Sequence, residues 1–120
     1  MSYKKGEVGQ RPWGYWRVDE VGEGFIKKTI AVNPNASLSL QSHKHRSEKW
    51  KVVGGLAEAT VNGVTRVLKS QETVEIPVNA IHRLKNAGNE LLIIEETQFG
   101  EILDENDIVR YEDLYGRVSE

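Results

Sequence analysis

The 120-residue sequence contains no cysteine. Disulfides and thiolate metal sites are therefore excluded, and any metal held by this chain must take nitrogen and oxygen ligands. There is no excess of positive charge either. Sixteen Lys and Arg stand against eighteen Asp and Glu, a formal net charge of −2, which leaves no electrostatic footprint for DNA or RNA. No apolar run is long enough to span a membrane. The opening Met1-Ser2-Tyr3-Lys4-Lys5-Gly6 has lysines but no apolar stretch behind them, so it is not read as a signal peptide and the expected location is cytoplasmic. Internal repeats and low-complexity segments are missing too. The length suits a single domain over 1–120, with 1–12 as an N-terminal arm or edge strand leading into Arg11-Pro12-Trp13-Gly14.

What the sequence does contain is a succession of short β runs separated by turn signals. The strands are expected at Tyr15–Asp19, Phe25–Val32, Leu38–His43, Glu48–Val53, Ala57–Val61, Thr65–Leu68, Thr73–Ile76, Ile81–Lys85 and Leu91–Gln98. Asn62-Gly63 is the clearest turn, suited to a tight type I′ hairpin. Gly22-Glu23-Gly24, Pro34-Asn35 and Pro77-Val78-Asn79 mark others. Many short strands with frequent turns predict an all-β sandwich or small barrel. Only the end changes character. Asp104-Glu105-Asn106-Asp107 offers an N-cap and early acids, and Ile108, Val109, Leu114 and Tyr115 suit one face of a short C-terminal helix.

Three separate segments carry candidate metal ligands. Alternation along Leu38–His43 puts Gln41 and His43 on one side. On the next run Glu48 shares a face with Trp50 and Val52. A carboxylate beside an apolar face needs a partner, because an unpaired buried charge is expensive. His82 shares a face with Leu84. Two imidazoles, a carboxylate and an amide oxygen suit zinc, manganese, iron, cobalt or nickel, with positions left open for substrate or water. The plainer alternative is that Glu48 simply pairs with Lys28, Arg46 or Arg83.

The spacing resembles the two cupin motifs. The first, G-x5-HxH-x4-E-x6-G, reads here as Asn35, Gln41, His43, Glu48 and Gly55. Asn replaces the opening Gly and Gln the first His. The second, P-x-G-x2-H-x3-N, reads as Pro77, Asn79, His82 and Asn86. Asn for Gly at 35 and 79 is mild, since Asn tolerates positive φ. A narrower resemblance covers almost the whole chain. Arg11-Pro12-Trp13-Gly14, Leu38–Gln41, His43–Glu48 with Trp50, Ile76-Pro77, His82-Arg83-Leu84 with Asn86, Asp107–Arg110 and Tyr115-Gly116-Arg117 are similar to type II phosphomannose isomerase. In bacteria that domain is often fused to mannose-1-phosphate guanylyltransferase, whose glycine-rich phosphate loop has no counterpart here.

The resemblance implies a cupin barrel of the jelly-roll type. It also implies a metal-dependent isomerase interconverting mannose 6-phosphate and fructose 6-phosphate in GDP-mannose and polysaccharide synthesis. Gln41, His43, Glu48 and His82 would hold one divalent ion, with zinc the first choice. Where the family commonly has His after the metal Glu, this chain has Lys49. Aldose–ketose isomerisation needs a base at C2 and a proton handler at the hydroxyl. Lys28, His45 and Arg83 are the catalytic candidates, with Glu48 as a further one. Lys28 shares a face with Ile26, Ile30 and Val32, so it is either functional or a counter-charge for Glu48. Arg11, Arg46 and Arg110 are candidates for the substrate phosphate, and Trp13 for a sugar-facing wall or for the core. The partners expected are a small sugar phosphate and, through exposed strand edges, a second copy in a homodimer. The alternative is a non-catalytic module that binds a sugar phosphate or nucleotide sugar beside a separate guanylyltransferase.

Overall fold

A computed structural model describes residues 3–104 and 106–112. Eleven strands and no helix occur among them. They are β1 (Val8–Arg11), β2 (Gly14–Gly22), β3 (Phe25–Val32), β4 (Leu40–Ser42), β5 (Ser47–Gly54), β6 (Ala57–Val61), β7 (Val64–Leu68), β8 (Thr73–Ile76), β9 (His82–Asn86), β10 (Leu92–Phe99) and β11 (Val109–Glu112). They pair antiparallel in two sheets. One has the order β1-β2-β3-β10-β5-β8 and the other β11-β4-β9-β6-β7.

The turn residues explain the connections. Asn35, Asn62 and Asn79 all have positive φ, at 64°, 48° and 65°, a backbone state that Asn enters more readily than most side chains. Gly14 has φ +148° and lies so close to the Ala31 carbonyl that an added Cβ would collide with it. That approach lets β2 close against β3 directly after Arg11-Pro12-Trp13.

Alternation along the strands sorts the interior into layers. Across β3, β10 and β5, Ile30, Ile94 and Val52 stand in register, all buried. One step along, the row is Lys28, Glu96 and Trp50; the next is Ile26, Gln98 and Glu48. The facing sheet contributes Ala57, Ala59, Leu84 and Leu68 to the same core. The apolar layers form one end of the interior, and the charged rows lie toward the other.

The expected C-terminal helix is corrected where it falls on described residues. Residues 109–112 form β11, with Val109 opposite Ser42 and Arg110 opposite Gln41. The acids read as helix caps serve turns instead. Asp104 accepts from the Asn106 amide at 2.9 Å. Asp107 accepts from the amides of Lys44 and His45, each at 2.9 Å. Pairing to the exposed side of β4 outweighs a weak local helix signal. Leu114 and Tyr115 lie outside the described residues.

Gly14→Ala is expected to lower stability by roughly 2–3 kcal/mol, combining a positive φ with a backbone collision. Gly63→Ala, also at positive φ but with open space around it, should cost only about 1 kcal/mol. Urea denaturation of the two variants measures the difference.

Candidate metal centre and active site

The site is built where β4, β5 and β9 bring their ligand-type side chains together. Gln41 and His82 are directly opposite each other in the β4–β9 pairing. His43 follows β4, and Glu48 lies on β5. His43, Glu48 and His82 are all buried and each offers a ligand atom within 4.8 Å of the others.

Backbone carbonyls orient both imidazoles. His43 Nδ1 lies 2.6 Å from the Asp107 carbonyl and His82 Nδ1 2.9 Å from that of Ala80. Each Nδ1 is therefore the N–H donor, and each Nε2 is left as the acceptor atom of its ring, facing the cluster. His43 Nε2 stands 3.2 Å from Glu48 Oε2, and His82 Nε2 4.0 Å from Oε1. Gln41 donates its amide nitrogen to Ser39 Oγ at 3.0 Å and to the Ser39 carbonyl at 3.4 Å; the carbonyl can only accept, which leaves the Gln41 oxygen as the ligand-type atom. Two nitrogen lone pairs and a carboxylate, convergent and backed by carbonyls, are a donor set that fits a borderline divalent metal. The three together fit the expected group, with Gln41 beside them.

Arg46 binds the same atoms. Its Nε donates to Glu48 Oε2 at 2.8 Å and its Nη2 to His43 Nε2 at 3.1 Å. Trp50 donates its indole N–H to Glu48 Oε1 at 2.9 Å and to Glu96 Oε2 at 3.2 Å. Gln98 donates to Glu96 Oε1 at 2.7 Å. Glu48 is thus a buried carboxylate surrounded by donors. Burial alone would raise its pKa, but the Arg46 guanidinium, with His43, His82 and the hydrogen bond to Glu96, holds it well below the usual carboxylate range. Glu96 goes the other way. Burial and the neighbouring Glu48 charge push it up to about 7, against the opposing pull of Lys28 and Arg46. His43 is lowered to about 4, chiefly by burial, with Arg46 and His82 adding to the shift and Glu48 opposing it.

A cavity of about 330 Å³ opens onto this cluster. Gln41, Glu48 and His82 lie at its wall, as do Arg11, Trp13, Lys28, Arg46 and Arg110. His43 is buried behind Arg46 and Glu48. Two catalytic candidates are placed elsewhere. His45 is exposed in the β4–β5 connection, and Arg83 is half-buried on β9 opposite Thr60, with alternation turning it away from His82. Neither lines the cavity. Lys49 is exposed on the outer face opposite Glu75, so the departure from the family His does not touch the cluster. Trp13 and Trp50 are both buried and both line the cavity, serving core and wall at once.

Sequence reading passed over four residues of the site. Glu96 carries the same signal that singled out Lys28, a charge on the face shared with Leu92, Ile94 and Gln98. Trp16 and Tyr3 line the cavity, and Asp107 supports His43 and the loop. Nothing local in the sequence marks Tyr3.

This fold, two antiparallel sheets closing on a His/Glu/His cluster, is that of a cupin barrel. Solved structures agree on the architecture. Oxalate decarboxylase from Lactobacillus farciminis matches with a TM-score of 0.75 over 88% of this chain and 33% of that one, at 20% identity. The capsular polysaccharide assembling protein CapF from Staphylococcus aureus matches equally well, at 18% identity over 88% of this chain and 34% of its own. Residues 2–113 match the model of the mannose-6-phosphate isomerase C-terminal family, and the chain belongs to that family. Among its relatives, the alginate biosynthesis protein AlgA of Pseudomonas putida is 47% identical over 91% of this chain and 22% of its own length. The mannose-1-phosphate guanylyltransferase ManC of Salmonella typhimurium is 44% identical over 90% of this chain and 22% of its own. The chain spans less than a quarter of the length of these curated relatives.

Two outcomes follow from the charge arrangement. Arg46→Met removes the cation from a buried pair and is expected to destabilise the metal-free protein by roughly 3–5 kcal/mol. Added zinc should restore part of that loss, as read by thermal unfolding with and without the ion. Glu96 binds a proton in the folded state between its ordinary pKa and about 7, so its contribution to stability falls as pH rises through that window. The stability advantage of the wild type over Glu96→Gln should therefore shrink by on the order of 2 kcal/mol between pH 5 and pH 8. Denaturant titrations of both proteins at each pH test the sign.

Proposed function

We propose that this chain is a divalent-metal-dependent aldose–ketose isomerase acting on mannose 6-phosphate and fructose 6-phosphate, in the supply of activated mannose for polysaccharide synthesis. The observation that carries the reading is the His43–Glu48–His82 donor set, whose Glu48 and His82 line a cavity that also presents Arg11, Lys28, Arg46 and Arg110. A phosphorylated sugar needs cations for its phosphate and a charge-stabilising, proton-handling centre for its carbonyl end, and the lining of this cavity carries residues of both kinds. Family membership and the biosynthetic names of the relatives support the substrate class.

Gln41, His43, Glu48 and His82 would hold the ion, zinc being the first candidate. When bound, it supplies Lewis acidity at the sugar carbonyl and hydroxyl oxygens. The chain's own residues do the rest. Glu96, with its pKa near 7, is matched to taking up and returning a carbon-bound proton at neutral pH. Lys28 faces Glu96 across the β3–β10 pairing and offers an ammonium to a developing oxyanion. Arg11 and Arg110 line the cavity and are assigned the phosphate, Arg being well shaped for it. The apolar and aromatic wall formed by Trp13, Trp16 and Ile30 limits water around the reacting carbons.

A coupled assay with mannose 6-phosphate is expected to show turnover that chelator abolishes and added divalent metal restores. His82→Ala should lose activity by at least about a hundredfold. Sugar-phosphate binding without turnover, under every metal tried, would instead indicate the non-catalytic module beside a separate guanylyltransferase.

A further inference from the structure

Lys28 is 4% exposed, and its ammonium lies against two aromatic faces. Nζ is 3.7 Å from the ring centroid of Tyr3 and 4.5 Å from that of Trp16. The two rings meet edge to face, their centroids 5.5 Å apart and their planes at 85°. They form a corner, and the cation sits in it. Tyr3 is only 6% exposed. Backbone hydrogen bonds tie the segment that carries it to β2. Gly6 donates its amide to the Val18 carbonyl and Val18 donates to that of Glu7, both at 2.8 Å. The Glu7 carboxylate accepts from the Lys4 amide at 3.0 Å. Gly9 lies flat against the Trp16 indole, where a Cβ would collide.

We propose that Tyr3 is a positioning residue: with Trp16 it holds the Lys28 ammonium at the cavity wall, so the N-terminal arm is part of the functional site. The reason is electrostatic. Lys28 faces Glu96 and, beyond it, Glu48, and a long, flexible ammonium would be drawn onto those carboxylates. A π face attracts the cation without neutralising it. Two such faces hold Nζ at the cavity wall, which Lys28 lines. Trp16 belongs to β2 and is fixed by the sheet; Tyr3 is the side of the corner that the arm supplies. The catalytic consequence rests on the isomerase reading, but the placement of Lys28 does not.

The test uses the full chain with Tyr3→Phe, which keeps the π face, and Tyr3→Leu, which keeps apolar bulk without it. Lysine acetylation by acetic anhydride is followed by peptide mass spectrometry, with exposed Lys49 on the outer face as the internal reference. Tyr3→Phe should label Lys28 at the wild-type rate, and Tyr3→Leu roughly tenfold faster relative to Lys49. In the mannose 6-phosphate assay, Tyr3→Leu should lower kcat with little change in KM, and Tyr3→Phe should retain both. Equal behaviour of Phe and Leu, in either direction, overturns the proposal. So does a Tyr3→Leu protein in which Lys49 labelling rises in step, because the whole molecule is then loosened. A wild type that does not isomerise removes the proposed function, while the labelling result still decides the placement of Lys28.

Discussion

The site depends on a single constraint: the Glu48 carboxylate is buried in the barrel and has to be satisfied there. An isolated ionised carboxylate in such a place would cost more free energy than a small domain has to spare. Arg46 and the Trp50 indole donate to it, and two imidazoles close around it. Each partner is then drawn into order by a second contact. His43 is tied to the Asp107 carbonyl and His82 to that of Ala80. Asp107 in turn holds the loop that carries Arg46. A chain of such contacts links β11, β4, β9 and β5 to one carboxylate, which is why residues distant in sequence share one geometry.

Stability and chemistry occupy different layers of the same strands. Ile30, Ile94 and Val52 form an apolar row that any small barrel would welcome. One step along the same three strands the row becomes Lys28, Glu96 and Trp50. The second row is a poor core by itself, with two charges facing each other and a second acid nearby. It is tolerated because hydrogen bonds from Gln98 and Trp50 serve Glu96, and because the apolar rows behind it supply the burial that closes the barrel. Local violations of the hydrophobic pattern therefore mark the site, as expected where function is placed at a cost to stability.

That logic also explains what could be read in advance. Strand positions followed from alternation, and β3, β6 and β8 fall on the residues that the pattern indicated, because each has a clear inner face and turn residues at its ends. Gln41, His43, Glu48 and His82 were legible as a set because their spacing follows two motifs, and the structure brings the candidate ligand atoms of His43, Glu48 and His82 within 4.8 Å of one another. Lys28 was visible as a charge on an apolar face, and Glu96 carries the same signature. His45 and Arg83 were drawn in by nearness along the chain. The structure puts them outside the cavity, because alternation on β9 and the course of the β4–β5 loop decide which side they face. The segment at 109–112 was misread because strand pairing is a property of its neighbour, β4, and not of its own residues. Tyr3 was invisible for a similar reason. What gives it meaning is a lysine twenty-five positions away.

Charge at the cavity argues for the kind of ligand it takes. The chain as a whole carries a formal charge of −2, yet among the described residues lining the cavity there are four Lys or Arg side chains and two carboxylates. Glu48 is met by Arg46 at hydrogen-bonding distance, and Glu96 spends part of its time protonated near neutral pH because burial and Glu48 resist its ionisation. The balance facing the cavity is therefore positive, inside a protein that is negative overall. Low-dielectric walls strengthen that local field over what the same charges would produce on a surface. A neutral sugar gains nothing from it, whereas an anionic group on the sugar does.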